Sequence, residues 1–165
     1  MDYVRYIDRT RAYYQSQGYR EPYRWAHFED VPFARLTKPL SECTLALVST
    51  SDVAVRDENV EVQKTDPELM VGNVYSISSD TPTDRLYTRQ EHYDRNATHL
   101  DDVNSYFPIT RLHELAAQGK IARVAARAHG VYTAYSHRKT LTVDAPEVLK
   151  RCREDGVDAV ILTPV

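Results

Sequence analysis

The spacing of apolar residues changes several times along this chain, and each change predicts an element. Near the N-terminus, "DYVRYIDRTRAYYQSQGY" sets Val4, Ile7 and Tyr14, or Tyr3, Tyr6 and Tyr13, at helical spacing, with Asp2 as a cap and Gly18 as a stop. In the following "REPYRWAHFEDVPFARLTKPLSE" that period is lost. Pro22, Pro32 and Pro39 stand too close together for a long helix, while Trp25, Phe28 and Phe33 are large apolar groups, so an ordered arm packed on a surface is expected.

From Cys43 the run "CTLALVST" is continuously apolar and rich in β-formers, as a strand buried on both faces would be. A polar segment follows from Asp52 to Met70, and "VGNVYSIS" predicts a strand around Val74 to Ile77. The stretch from Asp80 to Asp102 is the least regular and most polar. In "NSYFPITRLHELAAQGKI", Pro108 near a first turn, Ile109, Leu112 and Leu115 or Ala116 on one face, and Gly119 as a C-cap specify a helix. "GVYTAYS" alternates as a strand does. "DAPEVLKRCRED" opens with Asp144 and Glu147 spaced as a capping box, with Val148, Leu149 and Cys152 forming an inward stripe. Gly156 ends that helix, and "VDAVIL" reads as another wholly buried strand.

Alternation of helix and strand predicts an α/β fold, a mostly parallel sheet flanked by helices in a Rossmann-like or flavodoxin-like arrangement. Residues 1–42 form the N-terminal helix and aromatic arm, and residues 43–165 the α/β domain. In such sheets ligands bind just past the carboxyl ends of the strands. The chain stops at Val165, directly after one of them. A central parallel strand at a terminus lacks the crossover that would extend and cover the sheet, so the domain is expected to be incomplete at its C-terminus, the front part of something longer.

Composition narrows the function. A length of 165 residues suits one α/β domain with a real core, and 42% hydrophobic with 27% charged residues is ordinary for a globular protein. A formal charge of −3 argues against a polyanionic partner, so nucleic acid is not expected. The longest wholly apolar run, Ala159 to Leu162, is far below the roughly 18 residues of a membrane span, and "MDYVRYIDRT" is too charged for a signal peptide. A cytoplasmic protein with no membrane partner is expected. Cys43 and Cys152 are far apart and read as small buried hydrophobes. Six of the twelve tyrosines fall within the first 23 residues.

The densest polar constellation is "RQEHYDRNATHLDDVN", which holds Glu91, His92, Asp94, His99, Asp101, Asp102 and Asn104. Its nitrogen and oxygen donors could bind zinc or iron, making a metal-dependent hydrolase on His92, Asp94 and His99, but the spacing matches no helical or zinc-knuckle template. A solvated loop whose Asp and Asn side chains cap turns is the plainer reading. A substrate lid is a third, with His92 carrying a proton and Asp94 or Asp102 fixing its tautomer. His27, His113, His129 and His137 read as structural or surface residues. No Gly-x-Gly-x-x-Gly, P-loop or Gly-x-Ser-x-Gly is present, so dinucleotide binding, phosphoryl transfer and the common serine hydrolases lose their usual support.

Four stretches, "CTLALVSTSDV", "EHYD", "DDVNSYFPITRLHELAAQGKIARVA" and "EDGVDAVILTPV", resemble the selenoprotein B family of glycine, sarcosine, betaine and D-proline reductases. In that family the strand matching "DAVILTP" is followed almost at once by selenocysteine or cysteine. The resemblance therefore implies that the catalytic nucleophile lies past Val165, and that an in-frame UGA read as a stop, or an ordinary truncation, left a chain inactive alone. It implies a reductive C–N cleavage in which a selenolate displaces the substrate's amine. It also implies a pyruvoyl group on a partner subunit, no cofactor in this chain, and a thiol or selenol electron carrier. Thr163 and Pro164 would shape the turn into the nucleophile, and His92, Asp94, Asp102 and Asn104 match polar positions lining the family's site. The family has a Gly pair where this chain has Ser51 and Asp52, and a Gly where it has Ala134. A non-catalytic binding or regulatory module of the same fold, working through the aromatic arm, is the alternative, and a homo-oligomer is compatible with either.

Overall fold

The computed structural model describes residues 5–22, 24–56, 74–91, 93, 96, 99–132 and 136–164. Chain contacts divide it into two compact units, Met1–Ala34 and Arg35–Val165.

In the first unit, α1 (Tyr6–Ser16) follows Arg5, which makes no side-chain cap; the predicted cap Asp2 lies outside the described residues. Gly18 ends the helix at φ +89°, a left-handed conformation that costs glycine little. No residue of α1 is buried, and its rings meet one another instead: Tyr14 stands edge-on to Tyr13 at 5.7 Å and to Tyr19 at 5.5 Å. Past Gly18 the arm is irregular. Trp25, Phe28 and Phe33 are all exposed.

The second unit is built on β1 (Thr44–Ser49), buried along its whole length as predicted. It is followed by β2 (Val53–Val55), β3 (Val74–Ser78) and β4 (Leu86–Thr88). Then come α2 (Ile109–Ala117), β5 (Arg123–Val124) and β6 (Arg127–Val131). Two helices, α3 (His137–Lys139) and α4 (Ala145–Glu154), flank a π-helical turn at Thr140–Asp144, and β7 (Ala159–Thr163) closes the series. β5, β6 and β7 all pair in parallel with β1, while β3 runs antiparallel to β6. The result is an α/β fold with a mostly parallel, mixed sheet. β1 lies between β5 and β6 on one side and β7 on the other.

Alternate residues of β1 serve two different cores. Leu45 and Leu47 face α2, where they pack with Ile77, Phe107, Ile109 and Leu112. Ala46 faces α4 and meets Ala125 and Cys152, small side chains that let the helix approach closely. At the amino ends of β1 and β7, Asp158 accepts the Thr44 N–H at 2.8 Å and pairs with Lys38 at 2.8 Å, which sets the register of the two strands.

Several local expectations fail for tertiary reasons. The "GVYTAYS" strand begins upstream: β6 starts at Arg127 because its ladder to β3 runs from Arg127 opposite Ser78 to Val131 opposite Val74, and pairing overrides local alternation. The span from Asp80 to Asp102, expected to be irregular, contributes β4, which pairs antiparallel with β2; three-residue strands are too short to show a period. β7 is not wholly buried. Val160 is 40% and Leu162 70% exposed, because among the described residues β7 pairs only with β1 and α4 covers part of one face. Asp144 does not cap α4, since the helical path already began at Ser136, whose hydroxyl accepts the Lys139 N–H; Asp144 therefore sits inside a helical run with helical dihedrals. Of the predicted stripe, Cys152 is buried and Val148 packs beside it, but Leu149 is half-exposed.

Candidate functional site

The carboxyl ends of β1 and β7 lie side by side, with Ser49 paired to Thr163. The Thr50 N–H donates to the Thr163 carbonyl at 3.2 Å, and the Thr163 hydroxyl donates to the Val48 carbonyl at 3.4 Å. Pro164 follows, exposed and with no N–H to continue the ladder. Both residues thus stand at the rim of the sheet where ligands of open α/β folds bind.

Beyond β1 the polar run Ser49, Ser51 and Asp52 is buried. The two serine hydroxyls lie 2.6 Å apart and both reach the Tyr106 carbonyl, at 3.0 Å from Ser49 and 3.4 Å from Ser51; with one proton each, one donates to that carbonyl while the other donates to its neighbouring hydroxyl. These bonds satisfy groups that would otherwise be costly to bury, and they tie the loop before α2 to the end of β1. Asp52 holds φ at +48°, a conformation glycine takes freely, so the position where the resemblance expected a Gly still has the backbone a Gly would have. Arg89 holds it there: its Nη2 lies 2.6 Å from Asp52 Oδ1, and its N–H donates to the Asp52 carbonyl. Burial would lower the Arg89 guanidinium, but the Asp52 carboxylate outweighs it and keeps it above its ordinary value. Thr88 donates to the Ser51 carbonyl, which docks β4 on the same turn.

Tyr75 completes the wall. Its ring crosses β6 over Gly130, where any Cβ would overlap it, and its hydroxyl accepts the Val53 N–H at 2.6 Å. Burial pushes its phenol well above the usual range.

Asp102 and Asn104 approach this end of the sheet, but their polar atoms are used locally. Asp102 Oδ1 accepts the Asn104 N–H at 2.9 Å and its side-chain amide at 3.3 Å, and Asn104 Oδ1 accepts the Thr110 N–H at 3.2 Å. Both act as caps for the turn at Val103–Ser105 and the start of α2. The other two expected lining residues, His92 and Asp94, lie outside the described residues, as does Ala134. Among the described residues no cluster of three His, Cys, Asp or Glu side chains is arranged to hold a metal.

A separate polar network lies under α4. His129 is fully buried, with Nδ1 3.0 Å from the Ser76 hydroxyl, which also accepts from Arg151 at 2.9 Å. Its Nε2 is 3.6 Å from Asp155, whose carboxylate takes a bidentate grip from Arg127. Burial lowers His129 below its ordinary value despite the attraction of Asp155. The network fastens α4 to the sheet. Cys43 and Cys152 are both buried, and burial raises the Cys152 thiol.

Sequence reasoning did not single out Ser49, took Asp52 only as a departure from the family's Gly pair, and did not single out Arg89. The polar "STSD" directly after a wholly apolar strand was a usable signal for the first two, because polarity at a strand's carboxyl end marks a rim. Arg89 had none, since its partner lies 37 residues away.

The family model for glycine/sarcosine/betaine reductase selenoprotein B matches residues 5–165. The chain is 29% identical over 132 residues to the D-proline reductase subunit gamma of Acetoanaerobium sticklandii, a match covering 78% of this chain and 51% of that protein. It is 26% identical over 165 residues to the glycine reductase complex component B subunit gamma of Carboxydothermus hydrogenoformans, covering 96% of this chain and 36% of that protein. The chain thus spans about half or less of the length of these relatives. No solved structure matches it. No helix among the described residues is long and apolar enough to cross a membrane.

Proposed function

The chain belongs to the glycine/sarcosine/betaine reductase selenoprotein B family, and from that premise we propose that it is the front part of a reductase subunit for reductive C–N bond cleavage. The observation that carries the reading is the family match over residues 5–165. The pairing of Ser49 with Thr163 supports it, because two parallel strands then end at one rim where a following residue could be aimed at substrate.

The reacting chalcogen is contributed by polypeptide after Val165. A selenolate, ionised where a thiol is mostly protonated, attacks the carbon beside the substrate carboxylate. The C–N bond breaks, the amine leaves with its electron pair, and a selenoether remains. A dithiol carrier then supplies two electrons: one thiol bonds to selenium as the Se–C bond breaks and the carbon leaves with its electron pair to be protonated as the deaminated carboxylate, and the second thiol displaces the selenolate as the carrier's disulfide forms. A pyruvoyl group on a partner subunit, where present, would make the amine a better leaving group. This chain's residues position: Thr163 and Pro164 shape the turn, Ser49 and Ser51 hold the Tyr106 loop, Asp102 and Asn104 cap the start of α2 beside it, and the family resemblance assigns His92, Asp94, Asp102 and Asn104 to the lining of the approach. The fold is read as Rossmann-like or flavodoxin-like, the setting as cytoplasmic, and the chain alone as inactive.

The nucleotides after the Val165 codon test this. An in-frame TGA followed by an open frame encoding a Gly- and Cys-containing turn and an amphipathic helix is expected. An ordinary stop followed by non-coding sequence overturns the UGA reading.

A binding role for the N-terminal arm accompanies this reading, favoured by the exposure of Trp25, Phe28 and Phe33 at 44%, 54% and 86%. Rings of that kind are enriched at protein interfaces, and a partner subunit of the reductase is their expected occupant.

A further inference from the structure

On the α4 side of the sheet a groove of about 640 Å³ opens at the carboxyl ends of β1, β6 and β7. Its walls include Val48, Val148, Leu149, Val160 and Leu162. One charged side chain joins them, Asp144. It is 2% exposed, and its Oδ1 has no hydrogen-bond partner among the described residues. Such an atom is expensive to bury, and native structures leave few of them without a reason. Asp144 is also the last residue of the π-helical turn between α3 and α4. Single π turns inside helices are uncommon and recur at functional sites. Burial raises the Asp144 carboxyl, and the attraction of Lys139 offsets only part of that.

A pocket of this size, mostly apolar, with the hydroxyl-bearing Thr50, Tyr132, Thr140 and Thr163 on its walls and Asp144 as its one acid, fits a ligand with an apolar body and one donor head. A cation is the best head, since opposite charge relieves a desolvated carboxylate more than a neutral donor does. We propose that the α4–β7 groove is a binding site for an aliphatic primary amine, its ammonium on Asp144 Oδ1 and its alkyl chain along Val148, Val160 and Leu162. The groove shares Thr50, Thr163 and Pro164 with the rim described above, but the inference is argued from its lining and from Asp144, not from the reductase reading.

The test is calorimetric titration of the purified 165-residue chain with n-hexylamine, against 1-hexanol, hexanoate and n-propylamine at equal ionic strength. Saturable one-to-one binding of hexylamine is expected, at least tenfold tighter than hexanol or hexanoate. Asp144→Asn, with its fold checked by circular dichroism, is expected to weaken hexylamine at least tenfold. Leu162→Ser changes a side chain that is 70% exposed and keeps the test open should the Asp144 variant not fold. It is expected to weaken hexylamine at least threefold and leave propylamine unchanged. The proposal is overturned if the folded chain shows no saturable hexylamine binding, if hexanol or hexanoate binds as tightly, or if either folded variant keeps the original affinity.

Discussion

The two faces of the central sheet are built on opposite plans. On the α2 face, Leu45, Leu47, Ile77, Phe107, Ile109 and Leu112 form a dry core, joined by Cys43 and the rings of Tyr75 and Tyr106. On the α4 face the buried apolar contacts are Ala46, Ala125 and Cys152, and beside them lie His129, Arg151, Asp155 and Asp144. One face holds the fold through packing, whereas the other holds a helix through paired charges and leaves space. Stability and binding capacity are thereby separated across the thickness of a single strand, β1.

The sharpest break in that comparison is a pair of truncations. Phe107→Ala, at 1% exposure, is expected to cost about 3–5 kcal/mol in urea unfolding. Leu162→Ala, at 70% exposure, should stay within about 0.5 kcal/mol. Equal losses would mean that the α4 face is no more open than the other.

The turn that joins the faces comes next. Arg89→Ala strands a carboxylate that is 2% exposed on its side chain, and since Arg89 itself is 31% exposed, about 2–3 kcal/mol is expected rather than the cost of a fully buried pair. Asp52→Gly removes the charge together with its partner's role and relieves the φ of +48°, so it should cost less than about 1 kcal/mol. Chemical unfolding of both variants checks that order.

Gly130→Ala drives a Cβ into the Tyr75 ring and is expected to cost about 1–3 kcal/mol. In a Tyr75→Leu background the added penalty should fall below about 0.5 kcal/mol, because the overlap has gone. A penalty unchanged in that background would place the strain elsewhere.

The smallest effect is one of pH. His129 titrates below its ordinary value in the folded chain, so the unfolded chain binds the proton first. Its contribution is intact above about pH 6.5 and is lost as pH falls from there toward the lowered folded value. Urea midpoints measured from pH 8 to pH 5 should decline, and His129→Gln should flatten that slope.

The elements of the dry face were legible in the sequence because their signals are local. "CTLALVST" predicts a strand buried on both faces, and Pro108, Ile109, Leu112 and Gly119 delimit α2 by residue type alone. The candidate site was less legible. Thr163 and Pro164 were named from the family resemblance, while the ion pair of Asp52 with Arg89 and the Tyr106 carbonyl under Ser49 depend on segments 37 and 57 residues apart.

By itself the sequence determined the alternation of strand and helix, the glycine stops at Gly18, Gly119 and Gly156, and the family to which the chain belongs. Tertiary structure alone decided that β3 runs antiparallel, that β6 begins at Arg127, that Asp144 lies within a helical run, and that Val160 and Leu162 of β7 are exposed among the described residues. The physical reason is the range of the forces. Helix stops and apolar periods act within a few residues, whereas strand neighbours, burial and the partners of buried charges are set by whatever the folded chain brings alongside.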